Sequence, residues 1–224
     1  MIMDIYEVNI KRVTRTKQYM EERARQTLCQ ICGYDVEDLL CADKPDIQDK
    51  HGRCGIEVVQ DIEEDDRQRE AFIEQVWDRP YDEIDPKKIE RFQSTGGKIS
   101  KVADNRIRSA IIGEEKPNTP THLIKTIKKK VDLLNKEIYK PFESYGLYVF
   151  VETVSIDEYF DSYVLSVIEA VSAYGQKMNF QKLFLDYDYG ICVCDLLKKD
   201  FERISISLQI RDAIHKEIQK PWQY

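Results

Sequence analysis

Apolar positions recur along this chain in two periods, one near 3.6 residues and one of two. From Thr16 to Cys32, Met20, Ala24, Leu28 and Ile31 fall on a single stripe, and Gly33 is well placed to stop a helix, which predicts a first amphipathic helix. Two extended runs follow, roughly Cys41–Asp49 and Cys54–Gln60, joined by a polar turn near Lys50–Arg53. A highly charged, acidic helix is predicted over about Ile62–Trp77, then a short one over about Pro86–Phe92. "TGGKISK" reads as a turn leading into a short strand.

The second half is more strongly patterned. Thr119 as a capping hydroxyl and Pro120 in the first turn predict a helix from Thr121 to about Lys140. Leu123, Ile127, Val131, Leu134 and Ile138 form its apolar face, and Lys125, Lys128, Lys129 and Lys136 dominate the other. "GLYVFVET" is predicted as a buried strand and about Ile156–Ala173 as a helix. "KLFLDYDYGICVCDL" reads as two strands with a turn at Tyr187–Gly190, and about Ile206–Gln219 as a last helix. This order indicates a mixed α/β fold with helices on both faces of a sheet.

Composition narrows the class. A chain of 224 residues with 42% hydrophobic residues can bury a substantial core, as one elaborated domain or as one domain with a smaller appendage. Charged residues at 33% with few glycines and prolines argue against disorder. A net charge of −7 provides no global basic field, so any nucleic-acid contact has to be local. No segment reads as a secretory h-region or approaches a membrane span, so a cytoplasmic protein with no membrane partner is expected. The six cysteines are then expected to be reduced thiols. Cys29 and Cys32, with Cys41 and Cys54, have part of a zinc-site pattern. The first pair lies in a helical stretch and the second lacks knuckle spacing, which favours small core residues. Cys192 and Cys194 alternate with Val193 and are expected in the core.

One stretch, "KPDIQDKHGRCGIEVVQ" (Lys44 to Gln60), breaks the apolar pattern by placing Glu57 between Ile56 and Val58. One reading leaves Asp46 and Glu57 as solvated residues of a half-exposed hairpin. In the other they sit side by side on paired strands ~5 Å apart. Two such carboxylates repel unless a cation stands between them, and oxygen ligands suit magnesium or manganese. Such an ion polarises a phosphate oxygen and acidifies a water that attacks phosphorus.

Pro45-Asp46, ten residues, then Ile56-Glu57-Val58-Val59-Gln60 resembles the PD-(D/E)xK nuclease superfamily. The likeness covers roughly residues 16–60 and 121–152. It implies a restriction-endonuclease-like mixed β-sheet flanked by helices, with residues from about 153 as a C-terminal α/β elaboration. It further implies magnesium-dependent (or manganese-dependent) hydrolysis of DNA or RNA phosphodiester bonds, with Asp46 and Glu57 as metal ligands. A first-helix glutamate often joins them in that family. Glu21 lies nearer the apolar stripe than Glu22, which points away from it. The motif lysine is absent, because its position holds Val59. Gln60, if a bulge turns it round, or a lysine from Lys98, Lys101 or the helix beginning at Thr121, is the expected substitute. The alternative is a catalytically inactive nuclease-fold protein that binds nucleic acid or a protein partner.

Phosphate contacts are expected from Lys98, Lys101, Lys125 and Lys129, although a lysine run is more often a solvated helix face. His51, His122 and His215 are scattered without metal-ligand spacing and carry no catalytic pattern. The tyrosines after Tyr139, seven of them from Tyr145 to Tyr189, suit either base stacking or a core and interface, and a homodimer through the C-terminal part is compatible with them.

Overall fold

The structure, a computed structural model, describes residues 17–62, 64–101, 105–112, 119–136, 138–151 and 159–219, with the side chains of 100, 101, 108–112 and 219 excepted. The chain divides into a smaller compact unit that takes in Ile62–Pro117 and a larger one that takes in Lys17–Asp61 and Asn118–Tyr224.

The larger unit begins with helix α1 (Lys17–Ile31), followed by strands β1 (Leu39–Cys41), β2 (Ile47–Asp49) and β3 (Cys54–Asp61). The smaller unit contains α2 (Glu64–Val76), α3 (Pro86–Ser94) and the antiparallel pair β4 (Gly97–Lys101) and β5 (Ile107–Ile112). Its core gathers Phe72, Ile73, Val76, Ile84, Ile89, Phe92 and Ile107, with the Phe72 and Phe92 rings stacked. The larger unit resumes with α4 (Thr121–Leu134), β6 (Ser144–Val151), α5 (Phe160–Ser172), β7 (Lys182–Asp186), β8 (Gly190–Asp195), β9 (Asp200–Ser205) and α6 (Leu208–Gln219).

The seven strands form one mixed sheet in the order β1-β2-β3-β6-β7-β8-β9. The β3–β6 and β6–β7 pairs are parallel and the remaining pairs antiparallel. Alternation along the central strands sorts side chains between two cores. On one face Leu147, Val149, Leu183, Leu185, Cys192 and Cys194 meet the apolar stripes of α4 and α5. On the other Ile56, Tyr148, Phe150 and Phe184 meet Ala24 and Leu28 of α1. The α1 face also holds a buried ionic group. Asp186, whose side chain is closed to solvent, accepts from the Tyr148 hydroxyl at 2.7 Å and pairs with Arg23. Arg23 and Arg211 in turn hold Asp188, which ties α1 to the β7–β8 turn and to α6.

Several predicted elements differ in extent. The run Cys41–Asp49 is two strands, because Pro45 has no N–H for a ladder and the chain reverses around it, with Lys44 at φ 57. Helix α4 stops at Leu134, short of Lys140. The Asn135 side chain donates to Val131 O and Met178 O and accepts from Met178 N, all at 2.8 Å, taking the place of further helical bonds. Ile138 is consequently off the apolar face and 46% exposed. Pro120, not Thr119, stands at the helix boundary and provides no side-chain cap. Strand β9 has no counterpart in the pattern, since an edge strand with mostly exposed residues shows no clean apolar alternation. The predicted helix from about Ile156 is described from Phe160 onward, and residues 152–158 lie outside the described part.

Candidate active site

The β2–β3 register pairs Ile47 with Ile56 and Gln48 with Gly55. One step further along, Asp46 falls opposite Glu57, and directly opposed residues of an antiparallel pair leave the sheet on one face. The Val58 N–H donates to Asp46 Oδ2 at 2.9 Å and fixes that carboxylate against β3. Gly55 makes the approach of the two strands feasible. A Cβ there would stand 2.6 Å from Pro45 Cγ and 2.7 Å from Phe142 Cδ2.

Three cationic or hydroxylic groups converge on this pair. Lys130 of α4 donates to Glu57 Oε1 at 2.8 Å, and the Tyr139 hydroxyl is hydrogen-bonded to Glu57 as well. Lys17 Nζ lies 3.2 Å from Asp46 Oδ1 and 3.2 Å from Glu21 Oε1, between the two carboxylates. Its contact with Glu21 is an ion pair without hydrogen-bond alignment.

The electrostatics follow from this crowding. Burial pushes the Glu57 carboxyl above its usual range; Lys130 opposes that shift and the nearby Asp46 charge adds to it. Burial also raises Glu21, with Asp46 again adding to the effect against Lys17. The Glu21 and Asp46 carboxylates beside it raise the Lys17 ammonium in turn. Carboxylates that repel one another and are held in check by ammonium groups form a donor set that a divalent cation relieves.

The sequence-derived residues are thus partly assembled. Asp46, Glu57 and Glu21 share one neighbourhood. Gln60 does not join it. β3 runs in unbroken register with β6, and Gln60 opposite Phe150 belongs to the α1 face, whereas Glu57 opposite Leu147 belongs to the α4 face. No bulge turns Gln60 round. Val59 is packed against the core on the Glu57 side. The ammonium at Glu57 comes from Lys130, on the helix that begins at Thr121. Its phase singles it out within the run Lys128–Lys129–Lys130, since it flanks the stripe of Ile127 and Val131. Lys125 and Lys129 are on the exposed face of α4. Lys98 is exposed on β4 of the smaller unit, and the Lys101 side chain lies outside the described part. Glu22, expected to point away, is buried on Arg25 and Gln26; burial alone would raise its carboxyl, and these partners bring it below the usual range. Tyr148 and Tyr163 are core residues, whereas Tyr159 and Tyr189 are exposed.

Among the described residues no three His, Cys, Asp or Glu side chains form a ready-made metal cage. Burial pushes the thiols of Cys32 and Cys41 up to about 12 and that of Cys54 up to about 11. An ion on Asp46 and Glu57 would complete its shell with water and substrate oxygens, as magnesium commonly does. A cavity of about 490 Å³ opens elsewhere in the larger unit, lined by Tyr34, Asp38, Asp49, Arg53 and Lys182 among others. Its Asp49 and Asp38 are already joined to Arg53.

No protein-family model, no curated protein and no solved structure matches this chain. Among the described residues no helix is long and apolar enough to cross a membrane.

Proposed function

We propose that the protein is a metal-dependent phosphodiesterase acting on DNA or RNA, of the restriction-endonuclease-like kind. The observation that carries this reading is the set Asp46, Glu57 and Lys130: two carboxylates opposed across β2 and β3, with a lysine ammonium on Glu57. The order of elements supports it, since helix α1, a mixed sheet bearing the acidic pair, helix α4 and the parallel strand β6 follow the succession that the resemblance implies.

Asp46 and Glu57 would hold the magnesium or manganese ion, with Glu21 as an outer group. The ion would supply Lewis-acid polarisation of the phosphate and a lowered water pKa. Lys130 orients Glu57 and places positive charge where negative charge grows in the transition state. Tyr139 fixes the same carboxylate through its hydroxyl.

A second reading, a binding module without hydrolysis, is favoured by one observation. Lys17 and Lys130 already neutralise the carboxylates in the protein itself. The two readings separate in one assay. Single- and double-stranded DNA and RNA are incubated with magnesium or manganese and the wild-type protein, Asp46→Ala or Glu57→Ala. The hydrolytic reading requires cleavage of at least one substrate and its loss in both variants. Cleavage that survives both substitutions sinks the mechanism, and binding without cleavage in all conditions establishes the second reading.

A further inference from the structure

The cavity of about 490 Å³ in the larger unit lies across the sheet from the acidic pair. Strands β3, β6 and β7 run parallel, and the cavity opens at the end of the sheet where all three begin. The register places Ile56, Gly146 and Lys182 in one row, on the face that carries Phe184 and packs against α1. Glu57 leaves the sheet on the opposite face, toward α4.

The floor of the cavity is apolar. Ile56 and Phe184 close over Gly146, where a Cβ would stand 3.3 Å from Ile56 Cγ1 and 3.2 Å from Phe184 Cε2. Tyr34, in the chain that leaves α1, meets Phe184 edge-on with ring centroids 6.2 Å apart. These side chains make an aromatic corner, and the volume is in the range of small-molecule sites.

The polar lining is rich in unused donors. Elsewhere in the larger unit buried polar groups have partners, as Asp186 has Tyr148 and Asp61 has His122 at 2.6 Å. At the cavity the Lys182 ammonium, the Tyr34 hydroxyl and the Gln181 side-chain N–H groups meet no acceptor among the described residues. The Gln181 amide is oriented, because its Oε1 accepts from the Tyr145 N–H at 2.6 Å and so leaves Nε2 as the free end. Burial raises the Tyr34 hydroxyl above its ordinary range, which keeps it a protonated donor. Lys182 and Tyr34 also converge. Burial pushes up the thiols of Cys32 and Cys54, the Lys182 charge is near enough to oppose both shifts, and the Tyr34 hydroxyl is near the same two thiols.

The acids of the wall have a different status. Asp38 and Asp49 accept from Arg53, and Asp35 Oδ1 accepts from the Glu37 N–H at 2.9 Å. Each acceptor already takes at least one bond from the chain, whereas the three donors give none. A donor left without an acceptor favours a ligand that brings one, most of all an anion opposite an ammonium. The same three acids repel a second negative charge.

We propose that this cavity binds a small aromatic monoanion of the aryl-carboxylate kind, its ring on the Ile56–Phe184 floor and its anionic group taken by Lys182, the Tyr34 hydroxyl and the Gln181 amide. The proposal goes beyond the nuclease reading and does not rest on it, since no residue of the cavity belongs to the acidic pair or touches it.

The test titrates the full chain by calorimetry at low salt with three probes: indoleacetate, the neutral indoleacetamide with the same ring, and the dianionic cytidine monophosphate. Indoleacetate is expected to bind the wild-type protein more tightly than either of the others. Lys182→Met should weaken indoleacetate about fivefold to tenfold and Tyr34→Phe about threefold, and neither should change the binding of indoleacetamide. Both variants should keep the wild-type urea midpoint, because one removes an exposed charge and the other an unbonded hydroxyl. As a readout that needs no variant, the Tyr34 ring and Gln181 side-chain amide resonances of the wild-type protein should shift with indoleacetate. Equal affinity for indoleacetate and indoleacetamide, an unchanged indoleacetate affinity in Lys182→Met, unmoved Tyr34 and Gln181 resonances, or no binding of indoleacetate at millimolar concentration would overturn the proposal. Cytidine monophosphate binding more tightly than indoleacetate would overturn the assignment of a monoanion.

Discussion

Replacing Lys130 with methionine keeps the side-chain stem and removes the ammonium from Glu57. Glu57 is 9% exposed and would be left with the Tyr139 hydroxyl beside the charge of Asp46. Breaking a fully buried ion pair costs about 3–5 kcal/mol. The two side chains here retain 21% and 11% of their exposure, which reduces the expected loss to about 1–3 kcal/mol. For a unit of this size each kcal/mol lowers Tm by about 2–4 °C. The pH dependence has a definite sign. Burial places the folded-state pKa of Glu57 above the ordinary 4.5, so the folded chain binds more protons than the unfolded one over that interval. This contribution to stability is present in acid and is lost as pH rises through the folded pKa. Lys130 opposes the upward shift, so its removal widens the interval. The deficit of Lys130→Met should be largest at neutral pH and shrink toward pH 4, and Glu57→Gln in the same background should recover most of it. Urea unfolding from pH 4 to 8 measures this. A deficit that does not change with pH, or no deficit at pH 7, would show that Lys130 does not hold the Glu57 charge.

Two further outcomes follow from the geometry. Lys17 stands between Asp46 and Glu21 yet is 71% exposed, so Lys17→Ala should tighten manganese binding in calorimetric titration, and an unchanged or weaker affinity would show that its ammonium does not compete for those oxygens. Gly55→Ala should destabilise the protein by about 1–3 kcal/mol, because its Cβ has no room against Pro45 and Phe142, and a wild-type urea midpoint would refute the close approach that sets Asp46 beside Glu57.

How much of this was legible in the sequence depended on the range of the interactions involved. Helix α1, strands β3 and β6 and the apolar stripe of α4 follow from local periodicity, which needs no knowledge of distant partners. The Asp46–Glu57 opposition was legible because both residues belong to one hairpin. The lysine that meets Glu57 is 73 residues away, and only the helical phase of Lys130 hinted at it. The Asp61–His122 and Asp186–Tyr148 pairs join residues 61 and 38 apart, and nothing in their local sequence marks them. The burial of Glu22 was not legible, because an apolar stripe describes only one side of a helix and the partner that covers this glutamate, Arg25, is itself polar. The exposed residues of β9 hid an edge strand that backbone pairing with β8 creates.

The central reading, that Asp46 and Glu57 together hold a divalent ion, is most directly tested by anomalous diffraction from crystals grown with manganese. A single strong peak is expected at about 2.1 Å from one oxygen of each carboxylate, with the Lys17 ammonium moved away from Asp46. Carboxylates still held by Lys17 and Lys130 at saturating manganese, with no peak between them, would contradict it.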